Sequence, residues 1–124
     1  MAIARTVFVL GYRQYSDQLQ DLAGVLRGAA YVVSPVAVQD ERRLIDWEDT
    51  ASTFDAVVLV GLDGNESILQ RLGDYKGPVV LVTERSSYAQ AENGMQGISF
   101  GFLVDINADI SQSVLQILQQ HFST

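Results

Sequence analysis

Three uninterrupted apolar runs constrain this chain more than anything else in it: TVFVL at Thr6–Leu10, AVVLV within Phe54–Val60, and PVVLVT at Pro78–Thr83. A strand with one solvated face alternates apolar and polar side chains, because successive residues point to opposite faces. A run without alternation has no solvated face. It belongs in a parallel sheet covered by helices on both sides.

The intervening segments supply those helices. Leu19, Leu22, Ala23 and Leu26 recur at helical spacing. They predict a helix over Asp17–Arg27, with Ser16 as N-cap and Gly28 at the C′ position. A second strand, Ala30–Ser34, is expected to stop at Pro35. Asp40 is placed to cap a helix reaching Ala51, anchored to the sheet by Trp47. Ile68, Leu69 and Leu72 mark another over Asn65–Gly73. A short helix over Ser87–Glu92 ends at Asn93-Gly94, and a fifth strand spans Ile98–Val104. Asp109 caps a last helix that runs to His121, where the histidine is expected to help cap the terminus.

Strands and helices therefore alternate through short loops. That order predicts a doubly wound parallel α/β sheet with right-handed crossovers. Five such units in 124 residues suit one flavodoxin-like (βα)5 domain over 1–124, with strand order 2-1-3-4-5. A site in such a fold lies beyond the carboxyl ends of the strands, near the switch between the first and third.

Composition removes several classes of function. With no cysteine, disulfides, thiolate metal sites and thiol nucleophiles are all excluded. The formal net charge of -7 repels a phosphate backbone, so direct nucleic-acid contact by this domain is not expected. The apolar runs are far too short to span a bilayer. The start, MAIARTVFVL, lacks a separate cleavage region and reads as a first strand, which makes a cytoplasmic location the expectation. The loop GYRQYS after the first strand carries tyrosines and no Gly-x-Gly-x-x-Gly pattern. No cofactor is expected.

The residues at the strand ends are Gly11, Tyr12 and Arg13, then Gly61, Leu62, Asp63 and Gly64, then Thr83, Glu84 and Arg85, and last Asp105. Thr83 closing VVLVT, Phe102 within GFLVDI and Asp63-Gly64 closing FDAVVLVGLDG stand in order and at suitable intervals. On these landmarks the whole chain resembles a receiver domain of the two-component response regulators. The resemblance implies a switch hydroxyl at Thr83 and an aromatic switch residue at Phe102.

It also implies places for a phosphorylation site, and at those places the sequence departs. The acidic pair that would hold Mg²⁺ falls on Gly11 and Tyr12, or one residue earlier, where no side chain suits a hard cation. The phospho-accepting aspartate falls on Val60, or on Gly61 after a slip of one residue. The lysine that would contact the phosphoryl group falls on Asp105, and the proline after it is replaced by Ile106. The chain thus reads as a degenerate receiver, not an enzyme, acting through protein contacts in regulation such as transcription control. Asp63 is an alternative, displaced acceptor, with Glu84 and Asp105 completing a carboxylate cluster. A flavodoxin-like pocket for a nucleotide or flavin, lined by Tyr12, Asp63 and Thr83, is a second alternative.

The last helix suggests where contacts occur. Between Asp109 and His121 it has no charged residue, and its apolar set includes Val114, Ile117, Leu118 and His121. Receivers commonly pair through the face of the fourth helix, fifth strand and last helix, so this surface is the expected contact with a protein partner or a second copy as a homodimer. The chain ends just past that helix, as either a stand-alone protein or the N-terminal regulatory domain of a longer regulator is expected to do.

Overall fold

Every residue of β3 (Ala56–Val60) and β4 (Val79–Thr83) is buried, as are Val7–Gly11 of β1 (Thr6–Tyr12). β2 (Val32–Val38) and β5 (Gly101–Asp105) flank them, giving one parallel sheet in the order β2-β1-β3-β4-β5. The architecture is therefore the flavodoxin-like arrangement anticipated from the apolar runs. The computed structural model describes residues 4–123; positions 1–3 and 124 of the expected domain lie outside the described residues.

Strand alternation divides the buried side chains between two cores. Phe8, Leu10, Val57, Leu59, Val79 and Leu81 face the first. It is closed by α2 (Glu41–Leu44), α3 (Glu48–Ala51), α4 (Ser67–Arg71) and α5 (Tyr88–Gly94). Val7, Val9, Val58, Val60, Val80 and Val82 face the second, beneath α1 (Ser16–Gly28) and α6 (Ile110–Phe122). Leu19, Leu22, Ala23 and Leu26 of α1 are buried together, as their spacing requires.

Several boundaries differ from the sequence expectation, each for a physical reason. Pro35 does not stop β2. The Val32 N–H donates to Arg5 O at 2.9 Å, so Val32 and its alternate neighbours face β1. Pro35 is out of phase with them, and the N–H it lacks would have pointed off the sheet edge. The expected helix after Asp40 is broken into α2, a 3₁₀ turn at Ile45–Trp47, and α3. Asp40 does cap it, accepting from Arg42 N at 3.0 Å, and Trp47 anchors it with its ring 5.8 Å from that of Phe8. β5 begins later than expected, because Met95 and Ile98 form a turn in which Ile98 N donates to Met95 O.

The ends of α1 also move. β1 continues to Tyr12 and a 3₁₀ turn at Arg13–Tyr15 leads directly into the helix. Ser16 is therefore inside the first turn, where its hydroxyl donates back to Arg13 O at 2.6 Å. At the other end Gly28 is still helical, and the left-handed residue is Ala30, with φ 73°. Ala30 N donates to Arg27 O and Tyr31 N to Leu26 O, the paired bonds of a Schellman stop. A side chain in the left-handed region costs about 1–2 kcal/mol, partly offset by the extra freedom glycine has when unfolded. Ala30→Gly should therefore raise stability by up to about 1 kcal/mol, read as a higher urea midpoint at unchanged slope.

Candidate functional site

The carboxyl ends of β1 and β3 meet where Gly11 pairs with Val60. The backbones are close: a Cβ on Gly11 would stand 2.7 Å from Val60 O and 3.1 Å from a Leu19 methyl. Val60 is fully buried, and its side chain belongs to the core under α1 and α6. Gly61 turns the chain out of the strand with φ 88°. A Cβ there would stand 2.3 Å from a ring carbon of Tyr15, which covers the glycine from the 3₁₀ turn. Gly11, Val60 and Gly61 thus lie together, in a space already filled by backbone and an aromatic ring.

A polar network closes the loop beyond them. Asp63 Oδ1 accepts from Asn65 N at 3.0 Å, an Asx turn that uses the carboxylate locally. The organiser is Glu66, only 5% exposed. Its Oε1 accepts from Gly64 N at 3.0 Å, and its Oε2 accepts from Asp63 N at 3.2 Å and from the Tyr12 hydroxyl at 3.1 Å. Burial pushes the Glu66 carboxyl above its ordinary range, against the loop N–H groups that favour the anion. Burial, and then the neighbouring Glu66 charge, push the Tyr12 phenol upward as well, so it remains a neutral donor. Tyr12, expected in place of a metal ligand, therefore fastens the loop.

On the other side of β3, Thr83 is 3% exposed and pairs with Asp105 across β4 and β5. Asp105 accepts from Asn107 N at 2.9 Å and lies 3.3 Å from Arg85 Nε. Arg85 is largely exposed, so the pair is worth no more than about 1 kcal/mol. The displaced carboxylate cluster does not form. Among the described residues no three His, Cys, Asp or Glu side chains are grouped to hold a metal ion. Asp63 is engaged in its own turn, and Asp105 faces an arginine.

Phe102 is half-buried beside the second core. The contact surface expected on the last helix needs correction. Val114 and Leu118 are fully buried against the sheet, and only Ile117 and His121 of that set are partly open. The apolar stripe was wide because α6 buries one side of it in the core. His121, in the last turn of α6, stands edge-on to Phe100 at 5.0 Å and to Phe122 at 5.1 Å.

Two features that matter here were not singled out from the sequence: Glu66 and the pairing of Arg85. The signal for Glu66 was its place just after Asp-Gly at a helix start, where a carboxylate can reach back to free N–H groups. The pairing of Arg85 had no comparable signal, since it depends on a neighbour distant in sequence. A groove of about 790 Å³, lined in part by Arg5, Asp55, Arg71, Tyr75 and His121, lies at the opposite, amino-terminal end of the strands.

Several solved structures with this fold are receivers. The chain superposes on a response regulator receiver protein from Sinorhizobium medicae with a TM-score of 0.71 at 16% identity, covering 98% of this chain and 96% of that one. It matches FixJ-N with a TM-score of 0.64 at 16% identity over 98% of both chains. It matches a two-component response regulator from Clostridium difficile with a TM-score of 0.62 at 13% identity, covering 97% and 99% of the two chains. No protein-family model matches the chain. The search of curated proteins gave no match. The fold is thus that of the response-regulator receiver domains. Among the described residues, no helix is long and apolar enough to cross a membrane.

The raised Glu66 carboxyl gives a pH prediction. The folded state holds the Glu66 proton to higher pH than the unfolded state, so this group's contribution to stability is full below the unfolded pKa and declines as pH rises towards the folded one. Glu66→Gln lacks that decline. The stability of the variant relative to wild type should increase from acid towards neutral pH, measured by urea unfolding at each pH. A difference independent of pH would contradict the assignment.

Proposed function

We propose that this domain is a receiver-like regulatory module that works through protein contacts and is not phosphorylated on aspartate by the usual route. The observation that carries the reading is the filled space at the end of β3. Val60 points into the core, and the Tyr15 ring occupies the side-chain position of Gly61. Phosphoryl transfer to a carboxylate needs a nucleophile, a metal to gather charge and a cation at the developing oxygens. Glycine and tyrosine stand at the acidic-pair positions and Asp105 at the lysine position, so each requirement is unmet where the fold would supply it.

What persists supports a surface role. Thr83 and Phe102 keep the places of the family's switch pair, while the Tyr12–Glu66 network holds the strand-end loop in one arrangement. A fixed loop lends itself to displaying a surface steadily. Such a module regulates by binding a protein partner or itself, with transcription control as a suitable output. The net charge of -7 favours protein over nucleic acid as the direct contact.

Incubation with acetyl phosphate and Mg²⁺, followed by intact-mass measurement, tests the reading. The expected mass is unchanged. A gain of one phosphoryl group that disappears in Asp63→Asn would overturn it in favour of a displaced acceptor.

A further inference from the structure

The two edges of the sheet are not alike. On β2, the outward-facing backbone position at mid-strand is Pro35, which has no N–H to offer a further strand. On β5 there is no such guard. Val79 N donates to Phe100 O and Ile106 N to Thr83 O, so the even-numbered residues face β4. By alternation, Gly101 and Leu103 direct their N–H and C=O groups off the free edge, as Asp105 does its N–H, while Asp105 O accepts from Ala108 N at 3.0 Å. The segment Gly101–Val104 has no proline, lysine or other charge to discourage pairing. A groove of about 550 Å³ runs beside it, lined by Met95, Ile98, Phe102 and Leu103 among others, and Phe100 next to the strand is 46% exposed.

Charge identifies the occupant. A chain of net charge -7 repels a copy of itself over most of its surface. Residues 93–123 are the exception, carrying only two charged side chains, Asp105 and Asp109. Asp109 caps α6, and Asp105 is already paired with Arg85. This nearly uncharged region includes β5 and the exposed amide side of α6, with Gln112, Gln116 and Gln119. It is where two copies approach with least repulsion.

We infer that two copies of this chain associate through the free edges of β5, antiparallel and centred on Leu103, to form one continuous sheet. This register pairs Gly101–Asp105 of the two copies, with the Asp105 carbonyl kept in its turn with Ala108 N. Leu103 meets the partner's Leu103 as a hydrogen-bonded pair, and Phe102 stands opposite the partner's Val104, an aromatic and β-branched pair of the favourable kind. Asp105 falls opposite the partner's Gly101, which keeps the two Asp105 carboxylates about 13 Å apart along the strands. The contact is isologous and closed, so it stops at a dimer. It rests on the reading of this domain as a protein-contact module. Its readout is oligomeric state, which is independent of the phosphoryl-uptake experiment.

Sedimentation of the 124-residue chain over a concentration series, with two kinds of variant, tests the inference. Wild type should sediment as a dimer at high micromolar concentration. Leu103→Pro removes an outward N–H without touching the β4–β5 bonds, and should raise the dimer dissociation constant about tenfold or more. Leu103→Lys, which retains the backbone N–H, serves as the second variant if the proline unfolds the strand by circular dichroism. The chain has no native cysteine, so Leu103→Cys should form a single disulfide-linked dimer on mild oxidation, while Val32→Cys on the opposite sheet edge should not. A wild type that stays monomeric at every concentration, cross-linking at Val32→Cys in place of Leu103→Cys, or dimers indifferent to both Leu103 substitutions would overturn it.

Discussion

Burial of three strands on both faces is the constraint on which the rest of this structure depends. β1, β3 and β4 have no surface for water, so helices must cover the sheet on each side. Parallel strands then need crossover connections, and those crossovers lead every strand into a loop at the same end. The strand-end loops are thereby gathered without any residue having been chosen for chemistry. Fold and site are linked in this mechanical sense, and the link survives when the chemical groups differ.

At those gathered ends the polar work is done by residues that stabilise a loop. Glu66 is a buried carboxylate whose partners are two backbone N–H groups and a phenol. A buried charge of that kind is tolerated only when its lone pairs are satisfied. Tyr15 and Leu19 occupy the neighbouring apolar space against Gly61 and Gly11. The outcome is a filled end, covered by an aromatic ring and closed by a loop that Glu66 and Tyr12 tie together. Asp105, 3.3 Å from Arg85 Nε, places an ion pair at the end of β5 in the same region.

Much of this was legible because it was local or periodic. The apolar runs specify parallel buried strands, and the spacing of Leu19, Leu22, Ala23 and Leu26 specifies the buried face of α1. Asp40 and Asp109 could be read as caps because capping involves N–H groups two or three residues away. The misreadings share a different cause. Pro35 was taken to end a strand because proline lacks a donor, yet whether that donor is needed depends on which side of β2 another strand lies. Gly28 was assigned the left-handed stop that Ala30 adopts, since the helix continued one turn position further. Val114 and Leu118 were set on a contact surface because a wide apolar stripe does not say how much of itself the sheet will cover.

The sequence by itself determined the class of fold, the order of the strands and which residues stand at their ends. Each follows from residue identity and from periodicities of two and 3.6 residues, which act over short distances. Only the tertiary structure decided that Tyr15 fills the space over Gly61, that Glu66 takes the Tyr12 hydroxyl, and that one sheet edge is guarded while the other is open. These facts depend on residues far apart in the chain meeting in space. No local pattern encodes such meetings, because they are set by how two layers of helices settle on one twisted sheet.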